Sequence, residues 1–176
     1  MAKDPKDDPV AQGMDIYALL YIHMAKEVIK TFGKEGEEAV RRAIRNFGVE
    51  RGKRLRARHE AEGRPINLKT LFTHYDLGGT RADPRFARNL LELTENTRYS
   101  LTLRCPVQER WREVGPADIG VIYCEEFHPA MWDAYLEGTV TLLPKLLSRG
   151  DEHCQFEVYV PGHKRDTEEL LRQQKS

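Results

Sequence analysis

Two short segments in which apolar and polar residues alternate constrain the fold of this chain most. One covers residues 99–107 and the other covers residues 154–160. Successive side chains of a strand point to opposite faces, so each segment predicts a strand with one buried face. The residues that the pattern places on the buried face of the first strand are Tyr99, Leu101, Leu103, Cys105 and Val107. Neighbouring alternation and turn residues place both strands in hairpins, the first over residues 88–105 and the second over residues 139–160.

Helical periodicity elsewhere in the chain supplies the layer that the apolar face of such a sheet requires. Helices are predicted over residues 15–33, 35–47, 107–114 and 116–136, with a further short helix after Asn67. Gly48 is expected to stop the second of these, and Pro129 is expected to break or kink the last just after His128. The expected fold class is α+β, with N-terminal helices and a central helix packed on an antiparallel sheet built from two hairpins.

The size and charge of the chain limit its organisation and its partners. A length of 176 residues with 40% hydrophobic side chains is enough for one core, which predicts a single domain over residues 15–160. We expect residues 1–14 to be a disordered lead-in and residues 161–176 to be a polar tail with at most a short helix from Asp166. The 28 basic and 28 acidic residues cancel, so we expect no nucleic-acid or membrane partner. No segment resembles a secretion signal, which predicts a cytoplasmic protein, and exposed strand edges leave room for a homo-oligomer.

The concentrated basic segment of the chain lies between Val49 and Glu62. It contains Arg51, Lys53, Arg54, Arg56, Arg58 and His59. One interpretation is a binding site for an anionic ligand. The other is a solvated helix face, on which Glu50, Glu60 and Glu62 balance the positive charge. The absence of neighbouring aromatic residues favours the solvated face over a surface that stacks on nucleic-acid bases.

The strongest candidate for chemistry is a cysteine and a histidine on the predicted helix over residues 116–136. Cys124 and His128 are four residues apart, so on a helix their Cβ atoms are about 5–6 Å apart on one face. An imidazole at that range can take the thiol proton, which is the pairing that nucleophilic catalysis by cysteine requires. Glu125 or Glu126 would orient the histidine or hold a water molecule. The alternative is that Cys124 packs as a small apolar residue and His128 lies at the surface.

The other two cysteines fall on the predicted strands. Cys105 and Cys154 both point to the apolar faces of their strands, so the three sulfurs can approach one another beneath the Cys124 helix. We expect Cys105, Cys154 and Tyr123 to line the substrate site. Because no CxxC pair is present, we expect no metal cofactor, with a zinc ion as the alternative. The ligands of that zinc would be Cys105, Cys124, His128 and Cys154.

The order of these motifs resembles a known family. A strand that ends in Cys105-Pro106 precedes the helix with Tyr123-Cys124-Glu125 and His128, and thirty residues after Cys124 comes the Gly-Asp-x-x-Cys-x-Phe turn and strand. This pattern is similar to the L-2-amino-thiazoline-4-carboxylic acid hydrolase family over residues 15–160. It is distantly similar to the 4-vinyl reductase type of ligand-binding domain, which belongs to regulators and holds zinc through cysteines in this region.

The resemblance implies a hydrolase that acts on carbon-nitrogen bonds outside peptides. Its substrate would be a small cyclic amidine or a related C=N or C–N heterocycle, attacked by Cys124 with the help of His128. A substrate carboxylate would need a cation, for which Arg104 at the strand end and the basic cluster over residues 51–58 are the candidates. The alternative that the resemblance implies is a small-molecule-binding or zinc-binding sensor module without catalysis.

Overall fold

The computed structural model describes residues 8–76, 83 and 85–174. Its helices and strands, in chain order, are α1 (Pro9–Ala61), α2 (Leu68–Thr73), β1 (Ala87–Leu93), β2 (Thr97–Arg104), α3 (Pro106–Val114), α4 (Ala117–Tyr135), β3 (Val140–Leu142), β4 (Cys154–Tyr159) and α5 (Thr167–Gln173). The strands form one antiparallel sheet in the order β1-β2-β4-β3. The predicted α+β class, with helices packed on an antiparallel sheet, is confirmed. No helix of the described part is both long enough and apolar enough to cross a bilayer.

Helix α1 begins earlier than the sequence predicts. The side chain of Asp8 accepts hydrogen bonds from the first free backbone amides, and Pro9 occupies the first turn, where its missing N–H is not needed. Residues 9–14, which we expected in a disordered lead-in, are therefore helical, and residues 1–7 lie outside the described residues. At Gly33 the backbone leaves the helical region with φ 57°, a left-handed value that glycine adopts without strain, so α1 is bent there.

The predicted stop at Gly48 is wrong, because α1 continues through it to Ala61. A Cβ atom at Gly48 would lie 2.8 Å from the Phe127 carbonyl oxygen, and one at Gly52 would overlap the Met131 carbonyl oxygen. Both glycines thus let the backbones of α1 and α4 approach each other closely. They are contact residues within a helix and do not end it.

The face assignment of β2 needs correction, since the expectation of a single buried face is wrong for the middle of this strand. All residues from Thr97 to Thr102 are buried, while Leu103, placed by the pattern on the buried face, is 53% exposed. The tail covers the face that carries Tyr99, whose hydroxyl accepts a hydrogen bond of 2.8 Å from the Arg165 amide. The opposite face, towards the helices, carries polar residues.

Two further elements differ from the prediction in extent. Helix α4 runs through Pro129, so of the break or kink expected after His128 the break is wrong and the kink stays a prediction. Strand β3 covers Val140–Leu142 alone; residues 143–146 of the predicted strand have no regular structure, and a 3₁₀ turn over Leu147–Arg149 follows them. The Asp166-capped helix of the tail is confirmed as α5.

Candidate functional site

A cavity of about 820 Å³ lies between α4, the start of α1 and the sheet. This volume is within the range of small-molecule sites. Most of its wall is aromatic or aliphatic. The aromatic residues that line it are Tyr17, Phe47, Phe72, Tyr75, Phe86, Trp111, Tyr123, Phe127, Trp132 and Phe156. The cavity can therefore enclose an organic molecule with an apolar body.

The structure brings the predicted thiol and imidazole to this cavity. Cys124 and His128 line it from successive turns of α4, and Cys105 and Cys154 line it from the ends of β2 and β4. Tyr123 also lines it, with its hydroxyl 2.9 Å from the Tyr17 hydroxyl. All three sulfurs therefore border one space. Cys105 reaches it from the residue after β2, which ends at Arg104, and not through the strand face of Tyr99 and Leu101 on which the sequence placed it.

The Cys124 thiol is held in its protonated form. Burial raises the pKa of Cys124 well above its usual range, and the neighbouring sulfurs of Cys154 and Cys105 raise this pKa further. Its hydrogen-bond partner is the Ser148 hydroxyl, which donates to Sγ over 3.9 Å. A thiol in this setting must lose its proton during an attack on a substrate, because almost no thiolate exists beforehand.

The His128 imidazole is neutral. Burial lowers the pKa of His128 to about 3, and the positive charges of Arg88, Arg98 and Arg51 contribute to the lowering. The ring makes an edge contact with Phe156, with centroids 5.1 Å apart. Its Nδ1 atom is buried and has no hydrogen-bond partner. The imidazole therefore offers an unoccupied nitrogen beside the cavity.

Glu125 and Glu126 are not brought to the cavity. Glu125 accepts hydrogen bonds from Arg41 at 3.0 Å and from Arg149 at 2.7 Å. Glu126 accepts from Arg45 at 2.6 Å and from Arg41 at 3.2 Å. Both carboxylates belong to an ion-pair network with arginines outside the cavity. The structure therefore gives no reason to assign them to the reaction.

The candidate cations of the sequence analysis also lie elsewhere, with one exception. Arg104 is exposed and pairs with Glu109 at 2.8 Å, away from the cavity wall. Within the basic segment, Arg54, Arg56 and Arg58 form ion pairs with acidic residues of the same helix, as a solvated face would. Arg51 is the exception, because it lines the cavity 5.3 Å from the Phe127 ring centre while it pairs with Asp76.

The charged and polar cavity residues that the sequence reasoning missed are Arg88 on β1 and three residues on β2. Arg98, Ser100 and Thr102 line the cavity, and each has a buried side-chain atom without a hydrogen-bond partner: Arg98 Nη1, Ser100 Oγ and Thr102 Oγ1. The guanidinium carbon of Arg98 lies 4.3 Å from the ring centre of Phe72. Burial, and then the charge of Arg88, lower the pKa of Arg98 to about 9, so the group remains charged at neutral pH. Their alternation with apolar residues was the available signal, but it also fits a solvated face.

The four residues of the alternative zinc site share the cavity wall without forming a ligand cluster. In the part of the chain that the structure describes, no three or more side chains of His, Cys, Asp and Glu are grouped so that they could hold a metal ion. Cys105, Cys124, His128 and Cys154 all line the cavity.

The family model described as L-2-amino-thiazoline-4-carboxylic acid hydrolase matches residues 13–158. The chain belongs to this family. Its resemblance to that family, drawn from the cysteine motifs, is thus confirmed, and at the level of the family the chain is a hydrolase. No curated protein matches the chain.

Solved structures with a similar fold include two proteins of low sequence identity. One is trafficking protein particle complex subunit 3 from Naegleria fowleri, covalently bound to palmitic acid, at 11% identity and a TM-score of 0.49, with 88% of this chain and 98% of that chain covered. The other is the phenol-responsive sensory domain of the transcription activator PoxR with phenol, at 13% identity and a TM-score of 0.49, with 90% of this chain and 80% of that chain covered.

Proposed function

We propose that this protein hydrolyses a small cyclic amidine, or a related heterocycle with a C=N or C–N bond, with Cys124 as the nucleophile. The observation that carries the proposal is that Cys124 and His128 face the same aromatic cavity from successive turns of α4. Membership of a hydrolase family named for a thiazoline substrate supports the choice of reaction. The cavity can hold the substrate in a fixed position against a weak nucleophile, which makes their reaction effectively intramolecular.

The reaction begins with the addition of the thiol across the C=N bond. The sulfur of Cys124 bonds to the ring carbon while the second electron pair of the C=N bond moves to nitrogen, which takes up the thiol proton. His128 is the base that relays this proton, because its Nδ1 atom has no other partner. The bond from this carbon to a ring heteroatom then breaks, the departing heteroatom takes up a proton, and a C=N bond re-forms on the carbon, which stays bonded to Cys124. One water molecule adds to this C=N bond, and Cys124 then leaves with its proton restored as a C=O bond forms. The net change is the addition of one water molecule and the opening of the ring.

A second candidate function is the binding of a small molecule without catalysis. Burial raises the pKa of Cys124 and lowers that of His128 to about 3, so both groups are neutral in the ligand-free protein. A nucleophile that is activated in advance would have the opposite character. This candidate shares the cavity with the proposed hydrolase and differs from it only in turnover.

The deciding experiment is a turnover screen with cyclic amidines, thiazolines and lactams on the wild-type protein and on Cys124→Ser. We expect Cys124→Ser to lose at least about 1,000-fold in kcat, since removal of a nucleophile commonly costs that much or more. Both tryptophans of the chain, Trp111 and Trp132, line the cavity, so quenching of their fluorescence reports binding separately from turnover. The variant should still bind the substrate and should keep the wild-type circular dichroism spectrum.

The outcomes separate the two functions. Turnover by the wild type that the serine variant retains would remove Cys124 from the role of nucleophile. Binding without turnover across the whole panel would favour the second candidate. If Cys124→Ser lost both turnover and binding, Cys124 would be assigned to ligand contact alone. A thiol-specific adduct trapped on Cys124 would contradict that interpretation.

A further inference from the structure

The polar residues of β2 form a ladder along the floor of the cavity. In the register of the sheet, Arg98 is opposite Val158, Ser100 is opposite Phe156, and Thr102 is opposite Cys154. Alternate residues of a strand point to the same side, so the three side chains follow one another at intervals of about 6–7 Å. All three carry a buried atom without a hydrogen-bond partner.

Helix α4 forms the roof over this ladder. At one end, Cys124 lines the cavity together with Cys154, the neighbour of Thr102. In the middle, the His128 ring contacts Phe156, the neighbour of Ser100. At the other end, the Arg98 guanidinium lies 5.8 Å from the Trp132 ring centre. The cavity therefore has a thiol end, to which Arg88 of β1 also contributes because it is opposite Thr102, and a cationic end formed by Arg98.

The cationic end is costly for the ligand-free protein. Arg98 is only 7% exposed, and its Nη1 atom has no hydrogen-bond acceptor. Its neighbours are the rings of Phe72, Trp132 and Phe156, and no carboxylate of the described residues forms an ion pair with it. Buried charges are normally paired, so an unpaired arginine that faces a cavity indicates a ligand that supplies the missing anion.

We propose that the Arg98-Ser100-Thr102 ladder is the subsite that holds the carboxylate of the substrate. The proposal deepens the proposed function, since it names how the substrate is held, and it rests on this cavity as the place of binding. Arg98 takes the carboxylate through its planar pair of donors, and the hydroxyls of Ser100 and Thr102 bond polar atoms of the ring nearer to Cys124. The ligand class is a carboxylate-bearing heterocycle, whose apolar parts contact the aromatic wall.

A matched pair of probes tests the subsite. The probes are 2-phenyl-2-thiazoline-4-carboxylate and its uncharged carboxamide, and tryptophan fluorescence quenching gives their dissociation constants. The wild type should bind the acid at least about tenfold more tightly than the amide, because hydrogen bonds to charged groups are the stronger ones. In Arg98→Met this preference should fall to about twofold or less, with the amide affinity little changed.

Arg104→Met is the matched control. Arg104 lies on the same strand, six residues further along, but it is exposed and paired with Glu109. This variant should keep the preference for the acid. Arg98→Met removes a buried charge that has no carboxylate partner, so we expect it to fold. Arg98→Lys provides a second test, because it keeps the charge without the planar pair of donors, and its preference should be intermediate.

Three results would overturn the subsite. They are equal binding of acid and amide by the wild type, binding of neither probe, and an unchanged preference in Arg98→Met. The first two need no variant, so the proposal stays testable even if Arg98→Met does not fold. A wild-type preference for the acid without turnover of any cyclic substrate would keep the subsite and remove the hydrolysis. Turnover of the acid and the amide at equal rates would keep the hydrolysis and remove the subsite.

Discussion

The two sides of α4 differ in how closely they are packed. Towards α1 the contact is as tight as two helices allow, since Gly48 and Gly52 leave no space for a Cβ atom beside the Phe127 and Met131 carbonyl groups. Towards the sheet, α4 stands away from β2 and β4 and leaves a cavity of about 820 Å³. One helix thus takes part in a closed interface and in an open one.

The charges on the two sides follow the same division. On the α1 side, Glu125 and Glu126 each accept hydrogen bonds from two arginines. On the cavity side, Arg98 and His128 each have a buried nitrogen without a partner. Paired charges have their hydrogen bonds satisfied within the protein, whereas unpaired buried groups are able to bond to a ligand. We infer that the α1 side provides stability and that the sheet side is reserved for function.

The largest effect on stability is expected at the closed interface, from Gly52→Ala. The new methyl group would overlap the Met131 carbonyl oxygen, and the two backbones must move apart to admit it. Overpacking costs up to about 3 kcal/mol, and the better helix propensity of alanine offsets about 1 kcal/mol, so we expect a net loss of about 2 kcal/mol. Urea unfolding followed by circular dichroism measures this loss.

Gly13→Ala is the matched control within the same helix. A Cβ atom at Gly13 has no neighbour within 4 Å, so the substitution should leave stability unchanged or raise it by up to about 1 kcal/mol. If Gly52→Ala were as stable as Gly13→Ala, the close approach of α1 and α4 would not be the source of stability that we infer.

An intermediate effect is expected on the cavity side, where it depends on pH. The pKa of His128 is lowered from 6.5 to about 3 in the folded protein. Between these values the unfolded chain binds a proton that the folded protein does not, so stability is complete above pH 6.5 and falls as the pH decreases towards 3. We expect His128 to account for at most about 2 kcal/mol of the loss between pH 7 and pH 5.

Comparison with His128→Gln isolates this contribution. The variant lacks the titrating group, so its free energy of unfolding should change less between pH 7 and pH 5 than that of the wild type. The lowered pKa of His59 acts in the same direction in both proteins and cancels in the comparison. Parallel pH profiles for the two proteins would mean that the imidazole is not kept neutral by its surroundings.

The sequence predicts the parts of the fold that depend on local periodicity. The first hairpin, the Asn67 cap and the helix that carries Cys124 and His128 all follow from alternation, capping and helical spacing. Gly48 does not, because a glycine that ends a helix and a glycine that admits a neighbouring helix look alike in one sequence, whereas the helix end predicted at Gly33 agrees with the bend there. Only the packing against α4 distinguishes Gly48 from a stop signal.

The site is predicted less completely than the fold, for a physical reason. Alternation in β2 shows that two faces differ, but it does not show which face meets the helices when both are covered. The alternation over residues 99–107 favours a solvated polar face with Ser100 and Thr102, because buried polar residues are uncommon, and Arg98 lies just before that segment. Arg98 became recognisable as a site residue only through its burial and its missing partner.

The smallest effect is expected in the ion-pair network on the α1 side of α4, from Arg45→Ala. Arg45 donates two hydrogen bonds to Glu126, but its side chain is 54% exposed, and Arg41 remains beside the same carboxylate after the substitution. Exposed ion pairs contribute about 0–1 kcal/mol, so the loss should stay below about 0.5 kcal/mol, and high salt should reduce it further. Urea unfolding in low and high salt measures both quantities. A loss as large as that of Gly52→Ala would show that the ion-pair network, rather than the glycine contact, holds α4 against α1.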